Sequence, residues 1–139
     1  MSTFHLEILT PYGHYFNGEV EYLEVRNNDA VLGILKNHTP IISTIKLGRI
    51  RIKIKGKFKV YATTGGILNV KEDGTVTLML NTIEKSDEID LSRAKASLAR
   101  ARDRIEHNDG DIARARAAEQ RAINRIEIAE SGDDDKWFI

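Results

Sequence analysis

The chain predicts an all-β N-terminal domain, a β-sandwich or flattened barrel, followed by a C-terminal antiparallel α-helical hairpin. Three observations carry this. From Phe4 to Leu80, apolar residues recur in short alternating runs broken by turn residues, the period-two signature of half-buried strands. After Leu80 the spacing changes to 3 and 4, at Leu91, Ala94, Leu98, Ala101 and Ile105, which lines one face of a helix. Beyond the break His107-Asn108-Asp109-Gly110, a matching face follows at Ile112, Ala115, Ala122, Ile126 and Ala129, interrupted by Glu119.

The strands are justified one by one. Phe4, Leu6 and Ile8 alternate with His5 and Glu7, and Thr10-Pro11-Tyr12-Gly13 closes that run. Asn17-Gly18 predicts a tight turn before Val20–Val25, and Asn27-Asn28-Asp29 separates this from Val31–Leu35. Between Arg49 and Val60 the residues Arg49, Arg51, Lys53, Lys55, Lys57 and Lys59 take one parity, and Ile50, Ile52, Ile54, Phe58 and Val60 the other. Strand geometry then predicts one basic, solvated face and one apolar face, with Gly56 at a hairpin turn. Gly65-Gly66, Asn69 and Asp73-Gly74 punctuate Ile67-Leu68 and Val76–Leu80. The helical hairpin starts near Ser86, where Ser86, Asp87 or Asp90 can cap it. Its alanine-rich seam buries little area, so at about 25 cal/mol per Å2 the pair is marginal alone. The expected divisions are residues 1–85, 86–130 and a mobile tail over 131–139.

Composition narrows the function. The 139 residues carry 21 basic and 21 acidic side chains, so the net charge is zero, unlike a generic nucleic-acid binder. With no cysteine, disulfides and thiolate chemistry are excluded. No apolar run approaches the roughly 20 residues of a membrane span, and the N-terminus lacks the pattern of a secretory signal, so a soluble, intracellular protein is expected. No nucleophile–base pair is evident. His38 has no second ligand at metal spacing, and Gly65-Gly66 lacks the Lys-Ser/Thr of a phosphate loop. Neither a catalytic residue nor a metal ligand is assigned.

The ordered set Thr10-Pro11-Tyr12-Gly13, Gly33-Ile34-Leu35-Lys36-Asn37-His38-Thr39-Pro40-Ile41, Gly65-Gly66-Ile67-Leu68 and Ile89-Asp90-Leu91-Ser92-Arg93-Ala94 resembles the epsilon subunit of bacterial and chloroplast F-type ATP synthases. The resemblance runs from about Phe4 to Ile128. It implies a ten-stranded β-sandwich plus a helical hairpin, in a non-catalytic rotor subunit of the central stalk. The implied partners are the gamma subunit and the c-ring, with Gly33, Ile34, Leu35, Lys36, Asn37, His38, Thr39 and Pro40 at that contact. The helices are expected to extend toward the alpha and beta subunits and restrain ATP hydrolysis. The implied location is the cytoplasmic face of the bacterial membrane, held there through the complex. Lys36 departs from the family's usual proline, and residues 133–139 have no counterpart.

The resemblance further implies that Ile89, Asp90, Arg93 and Ala94 bind ATP as a regulatory ligand; no cofactor is required. Asp90 with Arg93 also fits a plain helix start with an i,i+3 pair. Arginine spacing adds a physical argument. Arg93, Arg100 and Arg104 are separated by 7 and 4 residues, as are Arg114, Arg121 and Arg125, so each trio spans an arc of about 40°. The two stripes flank the seam, where guanidinium forks could meet a triphosphate. Arg100, Arg121 and Arg125 are therefore added as ligands, and Arg102 is expected on the indifferent outer face. The competing reading is a polyanion or nucleic-acid adaptor using basic strand 49–59 and the arginine helices. A free-standing ATP sensor would leave the N-terminal motifs unexplained.

Overall fold

The computed structural model describes residues 2–132, which fall into two compact units, one through Lys85 and one from Ser86 onward. The first contains ten strands: β1 Phe4–Thr10, β2 Gly13–Val20, β3 Tyr22–Arg26, β4 Val31–Ile34, β5 Ile41–Ile45, β6 Gly48–Ile54, β7 Lys57–Thr63, β8 Gly66–Val70, β9 Val76–Leu80 and β10 Glu84–Lys85. They form two five-stranded sheets, ordered β2-β1-β9-β8-β5 and β10-β7-β6-β3-β4. All neighbours are antiparallel except β1 with β9. The core is the set of inward-facing residues of both sheets, including Leu6, Ile8, Leu23, Val25, Ile34, Ile50, Ile52, Leu68 and Leu78. The expected sandwich is the observed architecture.

Two local expectations change. Asn17-Gly18 lies inside β2, paired with Glu7 and Leu6, and the reversal comes earlier, at Pro11-Tyr12. The strand can carry Gly18 because Phe16 lies across it: a Cβ there would stand 3.4 Å from the Phe16 ring.

The second correction removes the basic face. Gly56 does mark the hairpin turn, as a two-residue connection Lys55-Gly56 with φ of 50° and 77°, the left-handed pair that matches strand twist. A two-residue turn reverses parity. Ile54 therefore pairs with Lys57, Ile52 with Lys59, and Arg51 with Val60. Lys57 and Lys59 share a face with the core isoleucines, while Arg49, Arg51 and Lys53 share the other with Phe58 and Val60. Nor is that second face a solvated basic row, since Arg51 is fully buried and Arg49 nearly so. Both approach the buried carboxylate of Glu24, Arg51 Nη1 at 3.4 Å and Arg49 Nε at 3.6 Å. The Arg51 guanidinium also lies 4.2 Å from the centre of the Phe58 ring.

The second unit opens with one 3-10 turn, Ser86–Glu88, followed by α1 Leu91–Glu106 and α2 Ile112–Ser131. Asp90 and Asp111 are the N-caps, accepting from the backbone N–H of Arg93 at 3.0 Å and Arg114 at 3.1 Å. The seam is centred on buried Ala94, Ala101, Ala115 and Ala122, with Leu98, Ile105 and Ile112 partly covered. Ile128, absent from the expected seam, is buried as well. Of the expected tail, Ser131 ends α2 and Gly132 caps it, donating its N–H to the Ile128 carbonyl. Residues 133–139 lie outside the described residues.

Candidate functional site

The hairpin carries a cleft of about 560 Å3 on one flank of its seam, near the interhelical turn. Arg100 and Arg104 reach it from α1, Arg114 and Arg121 from α2, and Asp109-Gly110-Asp111 closes its end. Its position on the flank of the seam follows from the sequence. Alanines bring the helices close, and the 7-and-4 spacing keeps the arginines in register beside them. The turn is made tight by left-handed Asn108 (φ 50°) and Gly110 (φ 77°). Arg100 Nη2 donates to Ser97 Oγ at 3.1 Å.

Four guanidinium groups and two carboxylates line the cleft, one of the carboxylates already capping α2. The surplus is positive. The lining holds no aromatic ring, and its guanidinium forks are of the kind that pair with carboxylate or phosphate oxygens.

The structure divides the nucleotide set inferred from the sequence. Arg100 and Arg121 line this cleft; Ile89, Asp90, Arg93, Ala94 and Arg125 do not. Ile89 is buried, Ala94 is wholly buried in the seam, and Asp90 uses one carboxylate oxygen as the α1 cap. Arg93 is exposed and Arg125 half-buried. Arg104 and Arg114, which belong to the same two periodic trios but not to the expected ligand set, line the cleft as well.

Arg102 is exposed and outside the cleft lining, and its Nε lies 3.3 Å from Glu119 Oε2 on the other helix.

The β-sandwich offers a different kind of surface. On the outer face of the β2-β1-β9-β8-β5 sheet, Ile67 pairs with Met79 and Thr44, and Ile42 with Asn69. Ile42, Ile67 and Met79 are 76%, 41% and 43% exposed, an apolar stripe facing solvent. In the segment inferred to meet the gamma subunit and c-ring, Leu35, Lys36, Asn37, Thr39 and Pro40 are exposed and His38 half-buried. Ile34 belongs to the core instead, and Gly33 in β4 makes room for Tyr22, whose hydroxyl would stand 2.7 Å from a Cβ. Asn37 is left-handed (φ 65°), and the His38 N–H donates to the Leu35 carbonyl at 3.2 Å. Lys36 thus holds turn position i+1, where proline also fits, so the substitution adds a charge and keeps the turn. Among the described residues no group of three or more His, Asp and Glu side chains could hold a metal ion.

Residues 3–86 match the family model described as ATP synthase, Delta/Epsilon chain, beta-sandwich domain, and residues 87–130 match ATP synthase, Delta/Epsilon chain, long alpha-helix domain. The chain is 36% identical over 130 residues to the ATP synthase epsilon chain of Bacillus pumilus, covering 93% of this chain and 98% of that one. It is 38% identical over 130 residues to that of Desulfitobacterium hafniense strain Y51, with the same coverage. Among solved structures, a chain of the Euglena gracilis mitochondrial ATP synthase matches with a TM-score of 0.71 at 20% identity, over 94% of this chain and 79% of that one. That last likeness is one of fold.

Proposed function

This chain belongs to the ATP synthase Delta/Epsilon family, and from that premise we propose that it is a non-catalytic central-stalk subunit with a ligand-responsive hairpin. Its sandwich docks on the gamma subunit and c-ring and turns with them. The observation that carries this is the apolar stripe Ile42, Ile67 and Met79, since an exposed apolar sheet face marks a surface that a partner covers. Leu35 and Pro40, exposed in the segment leading into β5, add to the contact. No helix among the described residues is long and apolar enough to cross a membrane. In this reading the complex holds the chain at the cytoplasmic face of the membrane. Reconstitution tests it. Wild-type chain should bind gamma stoichiometrically, and Ile67→Lys should weaken capture while the isolated chain stays folded by circular dichroism. Salt-sensitive binding to DNA without affinity for gamma would instead restore the polyanion adaptor. The split of residues 49–59 over two faces has removed the basic surface that adaptor needed.

The hairpin is the regulatory part. ATP held by its arginines stabilises the closed pair, and release lets the helices extend toward alpha and beta and restrain hydrolysis. The positive cleft supports this, because a triphosphate neutralises four guanidinium groups that otherwise repel one another. Arg121→Ala should weaken ATP binding about tenfold or more, the scale of one charge-assisted contact. Arg116→Ala, outside the cleft lining, should leave it unchanged. Equal losses in calorimetric titration would refute the assignment.

A further inference from the structure

We propose that Glu119 and Arg102 form a positioning pair that holds α1 to α2 and so sets the width of the arginine cleft. Glu119 occupies the place in the α2 seam where the period calls for an apolar side chain, between Ala115 and Ala122. Its side chain is 23% exposed, so the charged group is partly removed from water, a cost that an ion-pair partner offsets. Arg102 is that partner, reaching across from α1 to 3.3 Å.

The pair matters because of where it lies. The seam it joins is buried chiefly through four alanines, which supply little apolar area. Helices of 16 and 20 residues in a protein draw most of their stability from packing, so closure of the pair depends on few contacts. The charges then divide unequally. Arg100, Arg104, Arg114 and Arg121 share the cleft with Asp109 and Asp111, and the surplus of positive charge opposes closure there. Arg102 and Glu119, outside the cleft lining, pull them together. An anion entering the cleft removes the repulsion, while the ion pair keeps the arginines at a separation one polyphosphate can span. Opening by loss of the pair and opening by loss of the ligand are thus two separable controls on one hinge.

The anion part rests on the cleft reading proposed above; the closure part does not. Both are measured on the full chain, by hydrogen exchange of α1 and α2 without ligand and by titration with inorganic tripolyphosphate. Glu119→Gln keeps size and helix propensity and removes the charge. It should speed exchange across both helices about threefold, the scale of one partly exposed pair, while β-strand protection stays at the wild-type level. Tripolyphosphate affinity should fall by a similar factor. Glu119→Asp should recover part of both, and the charge swap Arg102→Glu with Glu119→Arg should restore both. Wild-type exchange in Glu119→Gln, or a swap no better than the single variant, overturns the pair. Failure of wild-type chain to bind tripolyphosphate would remove the cleft ligand alone, leaving the exchange result to decide the pair.

Discussion

Gly66→Ala is expected to be among the most damaging single substitutions in the sandwich. A Cβ at Gly66 would fall on the Met79 carbonyl oxygen and stand 2.9 Å from the Leu80 Cα. Both are backbone atoms of β9, so no rotamer change makes room. Gly66 pairs with Leu80 on one side and Ile45 on the other, so relief requires parting β8 from its neighbours at the start of the strand. Neighbouring Gly65 is equally constrained: its φ is 118° and a Cβ would lie 2.7 Å from the Ile45 carbonyl oxygen. Overpacking a core costs roughly 1–3 kcal/mol and occasionally more, and a clash with fixed backbone belongs at the top of that range. A domain of this size has about 5–15 kcal/mol in total. Gly18→Ala is the matched control, since the nearest atom it meets, at 3.4 Å, belongs to the movable Phe16 ring. Urea unfolding should give a far lower midpoint for Gly66→Ala than for Gly18→Ala; equal midpoints would contradict the close approach.

Glu24→Ala is the second large effect. The carboxylate meets Arg51 and Arg49 and accepts a hydrogen bond from the Tyr22 hydroxyl at 3.3 Å. Burial, and next the charge of Arg26, hold the Arg49 guanidinium below its ordinary range. Removing the one carboxylate leaves buried positive charge facing positive charge, which costs about 3–5 kcal/mol when a buried pair is broken. Removing Arg51 along with the carboxylate, as Glu24→Leu with Arg51→Met, should cost less than Glu24→Ala, because Arg49 is then the one guanidinium of the two left facing the vacated carboxylate position. The Tyr22 hydroxyl gives an internal check. Its pKa is raised, first by burial and then by the charge of Glu24, so Glu24→Ala should lower it toward 10.0 in an ultraviolet titration. Thermal unfolding with the double variant less stable than Glu24→Ala would contradict this account of the cluster.

The strand content was legible because alternation survives in one-dimensional sequence, and the helical faces for the same reason at a different period. The basic row fails at the turn, and again within β6, where Arg49 and Arg51 are buried against Glu24 rather than solvated. Parity continues through a strand but inverts across the two-residue turn Lys55-Gly56, and counting straight through it joined two faces into one. Gly18 was misread because glycine after asparagine signals a turn locally, while the pairing of β2 with β1 is a tertiary fact. Arginine periodicity led to the flank of the hairpin and to Arg100 and Arg121. It did not identify where along the helices the cleft opens, since that depends on the turn at residues 107–111. Glu119 registered only as an interruption of a seam. Its partner lies 17 positions away on the other helix, and no local pattern relates the two.

Hydrogen exchange across residues 91–131 of the full chain, with and without saturating ATP, decides whether the hairpin responds to nucleotide. Slower exchange in both α1 and α2 on adding ATP, with β6 and β7 unchanged, is the result predicted for a hairpin that its ligand closes. Unchanged protection in both helices at saturating ATP would contradict it.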